Sequence, residues 1–423
     1  MKKKTIYFII AFITTLINTA QVTVTTLAGS TYGFADGPGT IAQFHYPFGV
    51  ATDTSRNVYV ADYNNDKIRK ITSDGVVSTV AGSTNGFANG NRAAAQFSSP
   101  HGVVADDAGN LYIADSGNYI IRKITPTGDV STFAGYGGGF SDGTVDTAQF
   151  DLPIGLAIDA AGNMYIADAN NYKIRKITPT GIVSTLAGST HGFADGNGAL
   201  AQFSGPYGVA VDSSGNVYVA DSSNNKLRKI TPSGEVSTLA GSTQGSADGT
   251  GAAAQFFNLS GVAVDAAGTI YVADSGNNKI RKITPSGEVS TLAGTTAGFA
   301  DGTGTTARFD GPTGVAIDAA GNVYVVDHNN QKIRKITQQL GLAQNDLASK
   351  ITISPNPAKE TIILKTNQEI LINNLSIYNL LGQLVQVNTN PNETIDVSGL
   401  KTGSYFIKIV SDKGTVSGKF IKE

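Results

Sequence analysis

Hydrophobic and polar positions alternate along most of this chain in short runs, and the runs come in groups of four. In one group, residues 208–212 (Gly-Val-Ala-Val-Asp) make a short apolar run and residues 216–221 (Asn-Val-Tyr-Val-Ala-Asp) alternate. Residues 226–231 and 235–241 follow with the same period of two. Alternation with β-branched and aromatic residues predicts strands, each half-buried on a pleated surface. The breaks carry turn chemistry: Asp212-Ser-Ser-Gly215 joins the first two runs and Thr231-Pro232-Ser-Gly234 the last two. Glycine supplies positive φ there and proline presets φ.

The group of four recurs every 53 residues. Ile68, Ile121, Ile174, Leu227, Ile280 and Ile333 each open the string x-Arg-Lys-Ile-Thr, with no insertion or deletion between copies. Phe44, Phe97, Phe150, Phe203, Phe256 and Phe309 form a second column, and Asp62, Asp115, Asp168, Asp221, Asp274 and Asp327 a third. Four strands per unit, repeated six times, predict an all-β six-bladed β-propeller. The sixth unit lacks a fourth strand after Thr337, while an orphan fourth strand, residues 24–29, lies near the start of the chain. Pairing the two closes the ring, and an open arc would leave a strand edge prone to aggregation.

The repeated string Pro-x-Gly-Val-Ala-x-Asp-x-x-Gly-Asn-x-Tyr-Val-Ala-Asp-x-x-Asn-x-x-Ile-Arg-Lys-Ile resembles the NHL repeat over roughly residues 22–339. Three positions depart from it: Arg56 stands for the turn glycine, Leu259 for the proline and Ser246 for a phenylalanine. Beyond residue 349 the period is lost. Three segments there, beginning Ile353-Ser-Pro-Asn-Pro, Leu375-Ser-Ile-Tyr-Asn and Leu400-Lys-Thr-Gly-Ser-Tyr, resemble the type A C-terminal sorting domain of the type IX secretion system. That resemblance implies a small β-sandwich read by an outer-membrane export machine. Family members often lose the domain on export, and some become anchored to surface lipopolysaccharide.

Residues 1–20 read as a signal peptide: Lys2, Lys3 and Lys4 precede the apolar run 5–17, which is too short to span a bilayer. The expected organisation is a signal peptide (1–20), a propeller (21–338), a linker (339–349) and a sorting domain (350–423). The mature protein is expected outside the cell or on its surface, with no transmembrane span. The chain has no cysteine, so disulfides, thiolate metal sites and cysteine nucleophiles are excluded.

Candidate chemistry is sparse. Histidines 45, 101, 191 and 328 all fall in connections on one face, here called the top, but at four phases of the repeat. They are not expected to converge as metal ligands. The six aspartates of Val-Ala-Asp look like Asx turns, as in Asp221-Ser-Ser-Asn224. The 12 Arg-Lys residues read as inter-blade ion pairs and solvated strand faces. Residues 21–349 hold 20 basic against 27 acidic side chains, which argues against nucleic acid although some NHL propellers bind RNA. No catalytic residue, cofactor or metal is expected. What varies among copies is a handful of top-face positions: Tyr46, Phe48, Tyr63, His101, Tyr207 and His328. These suit recognition of an extracellular protein or glycan by a non-catalytic scaffold. The alternative is an extracellular lyase or hydrolase with a top-face metal.

Overall fold

A computed structural model describes residues 21–339 and 351–423, apart from 367–369, 380–382, 390–393 and 413. The expected signal peptide and all of the expected linker but Gln339 lie outside these residues. Two compact units emerge, with Val22–Gln338 in one and Gln339–Glu423 in the other.

The first unit is a six-bladed β-propeller. In the fourth blade the strands run Pro206–Val211, Val217–Asp221, Lys226–Ile230 and Glu235–Ala240 from the axis outward. All neighbours in the sheet are antiparallel. In five blades a two-residue strand of the preceding connection adds to the outer edge, as Gly196–Asn197 does here. Tyr218 and Val219 point to opposite faces of their strand, and both are buried because a blade lies on either side.

Closure is visible three ways. Gln21–Ala28 lies between Lys332–Gln339 and Gly302–Thr303, so the first strand in the chain is the outer strand of the sixth blade. Buried Tyr324, Val326 and Ile333 of the sixth blade share one apolar cluster with Phe44, Val58 and Val60 of the first. Around the axis, inner-strand glycines meet the next blade's backbone: a Cβ on Gly208 would stand 2.3 Å from Ser260 O, and one on Gly314 2.6 Å from Phe48 O. Only a residue without Cβ permits that approach.

The departures from the repeat have local consequences. Arg56 holds φ at 64° where the five equivalent glycines sit at 80°, a left-handed backbone that disfavours a side chain. Leu259 is wholly buried in place of the inner-strand proline.

The second unit is a β-sandwich. Ile351–Ser354, Thr361–Thr366 and Thr394–Asp396 form one sheet, and Leu384–Thr389, Ile372–Tyr378, Gly403–Ser411 and Gly414–Lys422 the other. Their inner faces share one core that includes Leu364, Ile377, Ile407 and Phe420. Among the described residues, no helix is long and apolar enough to cross a membrane.

Candidate functional site

The top face is built on a device that the strand pattern did not reveal. Each blade buries one arginine completely, and these six are among the largest fully buried side chains. In the fourth blade, Arg228 Nη1 donates to Asp221 Oδ2 at 2.7 Å and to Gln202 O at 3.0 Å. Its Nη2 donates to Asp195 Oδ1 at 2.6 Å and to Ala194 O at 2.7 Å. The guanidinium is stacked between Phe193 and Phe203, 4.9 and 5.1 Å from the ring centroids. One side chain thus ties a strand end to both halves of the long connection from the preceding blade. A planar fork suits this task as a lysine would not.

This arrangement corrects two sequence-based readings. The arginines are not on solvated faces, and their ion pairs lie within a blade rather than between blades. The Asp221 side chain forms no Asx turn and reaches the turn that follows it only through the side chain of Asn224. Its carboxylate accepts from Ser204 N (2.8 Å), Asn224 Nδ2 (2.9 Å) and Arg228. Burial raises its pKa on balance, against the pull of these donors and the guanidinium. Every partner being a donor, the group is a carboxylate at neutral pH. The Asx turn belongs to a different column, where Asp212 accepts from Ser214 N and Asn216 N, both at 2.9 Å. Buried in this way, the six arginines have no guanidinium to offer to phosphates.

On this rigid frame the irregular residues fall mainly in one sector. Phe48, His101, Ile154, Tyr207, Ser260 and Thr313 ring the mouth of the axial channel, around a cavity of about 70 Å³. Phe48 makes an edge contact with His101 at 4.6 Å and another with His328 at 5.9 Å. Tyr63 packs against His101 at 4.7 Å, and Tyr46 against His328 at 5.1 Å. Five of the six positions singled out by sequence therefore meet in one aromatic cluster where blades six, one and two adjoin. Tyr207 stands apart, on the far side of the mouth. Sequence reasoning missed two members, since His45 continues the cluster from Tyr46 (5.4 Å) to Tyr32 (5.9 Å).

Three of the four histidines thus belong to a single cluster. Among the described residues, no group of three or more His, Cys, Asp or Glu side chains is placed to hold a metal ion. His101 Nδ1 lies 3.0 Å from Ser99 O, and His328 Nδ1 2.9 Å from Pro47 O. A carbonyl only accepts, so in the neutral ring Nδ1 carries the proton and Nε2 is left as an acceptor. His191, away from the cluster, packs against Tyr172 and shares a hydrogen bond with Ser204 Oγ at 2.8 Å.

Burial holds His101 down at about 4, against 6.5 for an exposed imidazole; the Ser99 carbonyl opposes this and neighbouring His328 adds to it. Burial also lowers His328, against the pull of the Pro47 carbonyl and Asp310. The unfolded chain accepts these protons more readily, so the contribution of His101 to stability is complete above pH 6.5 and is lost as the pH falls toward about 4. In His101→Phe this loss should vanish. Melting across that window should show the variant gaining on the wild type as the pH drops. A constant difference between them would contradict the assignment.

The comparisons with known proteins agree with this architecture. Residues 97–123, 203–230, 258–283 and 309–336 match the NHL repeat, and residues 352–423 match the secretion system C-terminal sorting domain. The chain is an NHL-repeat β-propeller carrying a sorting domain of the type IX secretion system. That domain directs export to the cell surface or the extracellular space. Among curated proteins, the chain is 33% identical over 276 residues to Protein SUPPRESSOR OF QUENCHING 1, chloroplastic, of Arabidopsis thaliana. The match takes in 59% of this chain and about a quarter (26%) of that relative. Two solved structures from Bacteroides thetaiotaomicron share the fold. One, a protein of unknown function, has a TM-score of 0.60 at 22% identity, covering 75% of this chain and 76% of its own. The other, an auxiliary nutrient binding protein, has a TM-score of 0.58 at 18% identity, with the same coverage of both chains.

Proposed function

We propose that this protein is a non-catalytic binding or adhesion scaffold, displayed at or released from the cell surface, which recognises an extracellular protein or glycan through its top face. The reading rests on the aromatic cluster. Most columns of the repeat are filled alike in all six blades, because each blade solves the same packing problem. At the phase of Phe48, two other blades carry Ser260 and Thr313, and at the phase of His328 three carry serine. Packing therefore does not demand aromatics there, and their gathering in one sector suits recognition. The nutrient-binding description of one fold neighbour is in keeping with a binding role.

A glycan and peptide array, read with the wild type and with a Tyr46/Phe48/His328 triple alanine variant, tests the reading. The wild type should bind a defined set of ligands, and the variant should lose about tenfold or more in affinity for each. Equal binding by the two proteins would discard the site. Stoichiometric zinc or calcium retained at the channel mouth would favour the lyase or hydrolase alternative.

A further inference from the structure

The same sector contains a second concavity, distinct from the channel mouth. At the seam where the sixth blade meets the first, Tyr32, His45, Tyr46, Phe299 and the segment Asn329-Asn330-Gln331 wall a groove of about 570 Å³. Tyr32 is 73% exposed, Phe299 48% and Tyr46 39%, so apolar ring surface faces solvent along it. From the groove the rings continue without a gap, Tyr32 to His45 to Tyr46 to His328 to Phe48, each centroid 5.1 to 5.9 Å from the next. The result is an aromatic track from the rim of the propeller to its axis.

Among the described residues, no other seam has a run of rings this long; at the seam before the fourth blade Tyr172 and His191 make a pair at 5.0 Å. At the phase of Tyr32 the other blades carry Asn85, Gly138, His191, Gln244 and Ala297. At the phase of Tyr46 they carry Ser99, Leu152, Gly205, Asn258 and Gly311. That second phase is left-handed in every blade, with φ of 49° at Tyr46, 61° at Gly205 and 57° at Gly311. Glycine or asparagine meets such a backbone without strain, and a tyrosine does not. Leu152 takes the same backbone at φ 56°, so what sets Tyr46 apart is its place in the run of rings between His45 and His328.

The chemistry of the walls narrows the occupant. The groove's one ammonium, that of Lys332, is already committed: Nζ donates to Gly29 O at 3.2 Å and to Ser30 O at 2.6 Å and lies 5.0 Å over Phe299. No carboxylate lines the groove. Its walls are aromatic faces, amides and hydroxyls, which suit the C–H faces and hydroxyl groups of uncharged sugars. An acidic polysaccharide would find no free cation there, and the Asp310 carboxylate beside the wall is already engaged by Asn329 Nδ2 at 2.9 Å.

We propose that the closing-seam groove binds a neutral oligosaccharide, laid along the aromatic track toward the axis. The proposal rests on the binding reading above and deepens it by naming the site and the ligand class. The test is titration of the folded chain with neutral hexasaccharides (gluco-, xylo- and manno-configured), with oligogalacturonate, and with tyrosine- and arginine-rich peptides. Wild type, Tyr32→Ala, Tyr46→Gly and Tyr207→Ala are compared. At least one neutral hexasaccharide should bind, and Tyr32→Ala and Tyr46→Gly should each weaken it by about tenfold or more. Neither variant should lower the melting temperature, since other blades are built with alanine or glycine at the same phases. Tyr207→Ala, across the mouth, should bind as the wild type does. Preference for the acidic sugar or for a peptide overturns the ligand class while leaving the binding scaffold standing. Sugar binding that survives both seam variants overturns the groove. Binding of no probe by any of the proteins overturns both readings.

Discussion

Deleting residues 22–29 should collapse the cooperative melting of the propeller, with a fall of about 10 °C or more and association of the truncated protein. The segment is the outer strand of the sixth blade, and among the described residues no other strand takes that place. Its Val24 and Ala28 are wholly buried. Thr26 donates from N (3.2 Å) and Oγ1 (3.1 Å) to Asp301, itself the partner of Arg334 at 2.6 Å. Loss of the strand therefore exposes the edge of Lys332–Gln339 and loosens the ion pair behind it. Several kcal/mol disappear together, and about 1 kcal/mol moves the melting point of a domain near this size by roughly 2–4 °C. The exposed edge is also a template for pairing between molecules. Calorimetry and gel filtration of the truncated chain give the answer. An unchanged, monomeric melt would mean that the ring does not depend on its closing strand.

Asp221→Ala should be the most damaging single substitution of a charged residue in the fourth blade. It removes a wholly buried carboxylate and leaves the guanidinium of Arg228, also wholly buried, without its one buried counter-charge. Breaking one side of a buried ion pair costs about 3–5 kcal/mol, because the other charge remains desolvated. Asp195→Asn on the same arginine should cost under about 1 kcal/mol, since that carboxylate is 45% exposed. The second blade already contains this swap: Arg122 Nη2 donates to Asn89 Oδ1 at 2.8 Å, and the guanidinium keeps its two stacked phenylalanines. Urea unfolding of the two variants separates the cases. Equal, small losses would show that the buried pair does not hold the top-face connection.

How the sequence carries this information explains what was and was not legible in it. The blades were readable because alternation, turn residues and the 53-residue period repeat one message six times. Closure was readable because the orphan strand keeps that period. The arginine cluster was harder, since its members lie 7 and 33 residues apart and meet only through strand pairing. Val219 faces Arg228 and Asp221 lies two residues further on the same side of its strand, so the register does put the two charges on one face. Both columns stand in the repeat, and setting them in the register of the two strands would have found the pair. Tyr32 and His45 were missed for a related reason. Each stands in its own column and becomes conspicuous only beside Tyr46 and His328, which folding brings near from opposite ends of the propeller sequence.

Fold security and functional silence share a cause here. Repeated residues are committed to packing, to turns or to the buried arginines, and recognition falls to the places where the repeat is broken. Hydrogen exchange with and without a ligand chosen from the array tests that claim most directly. Slowed exchange is expected in residues 30–48, 99–103 and 326–332, which carry the seam and the neighbouring mouth. Protection confined to the bottom-face hairpins, or spread equally over all six blades, would contradict it.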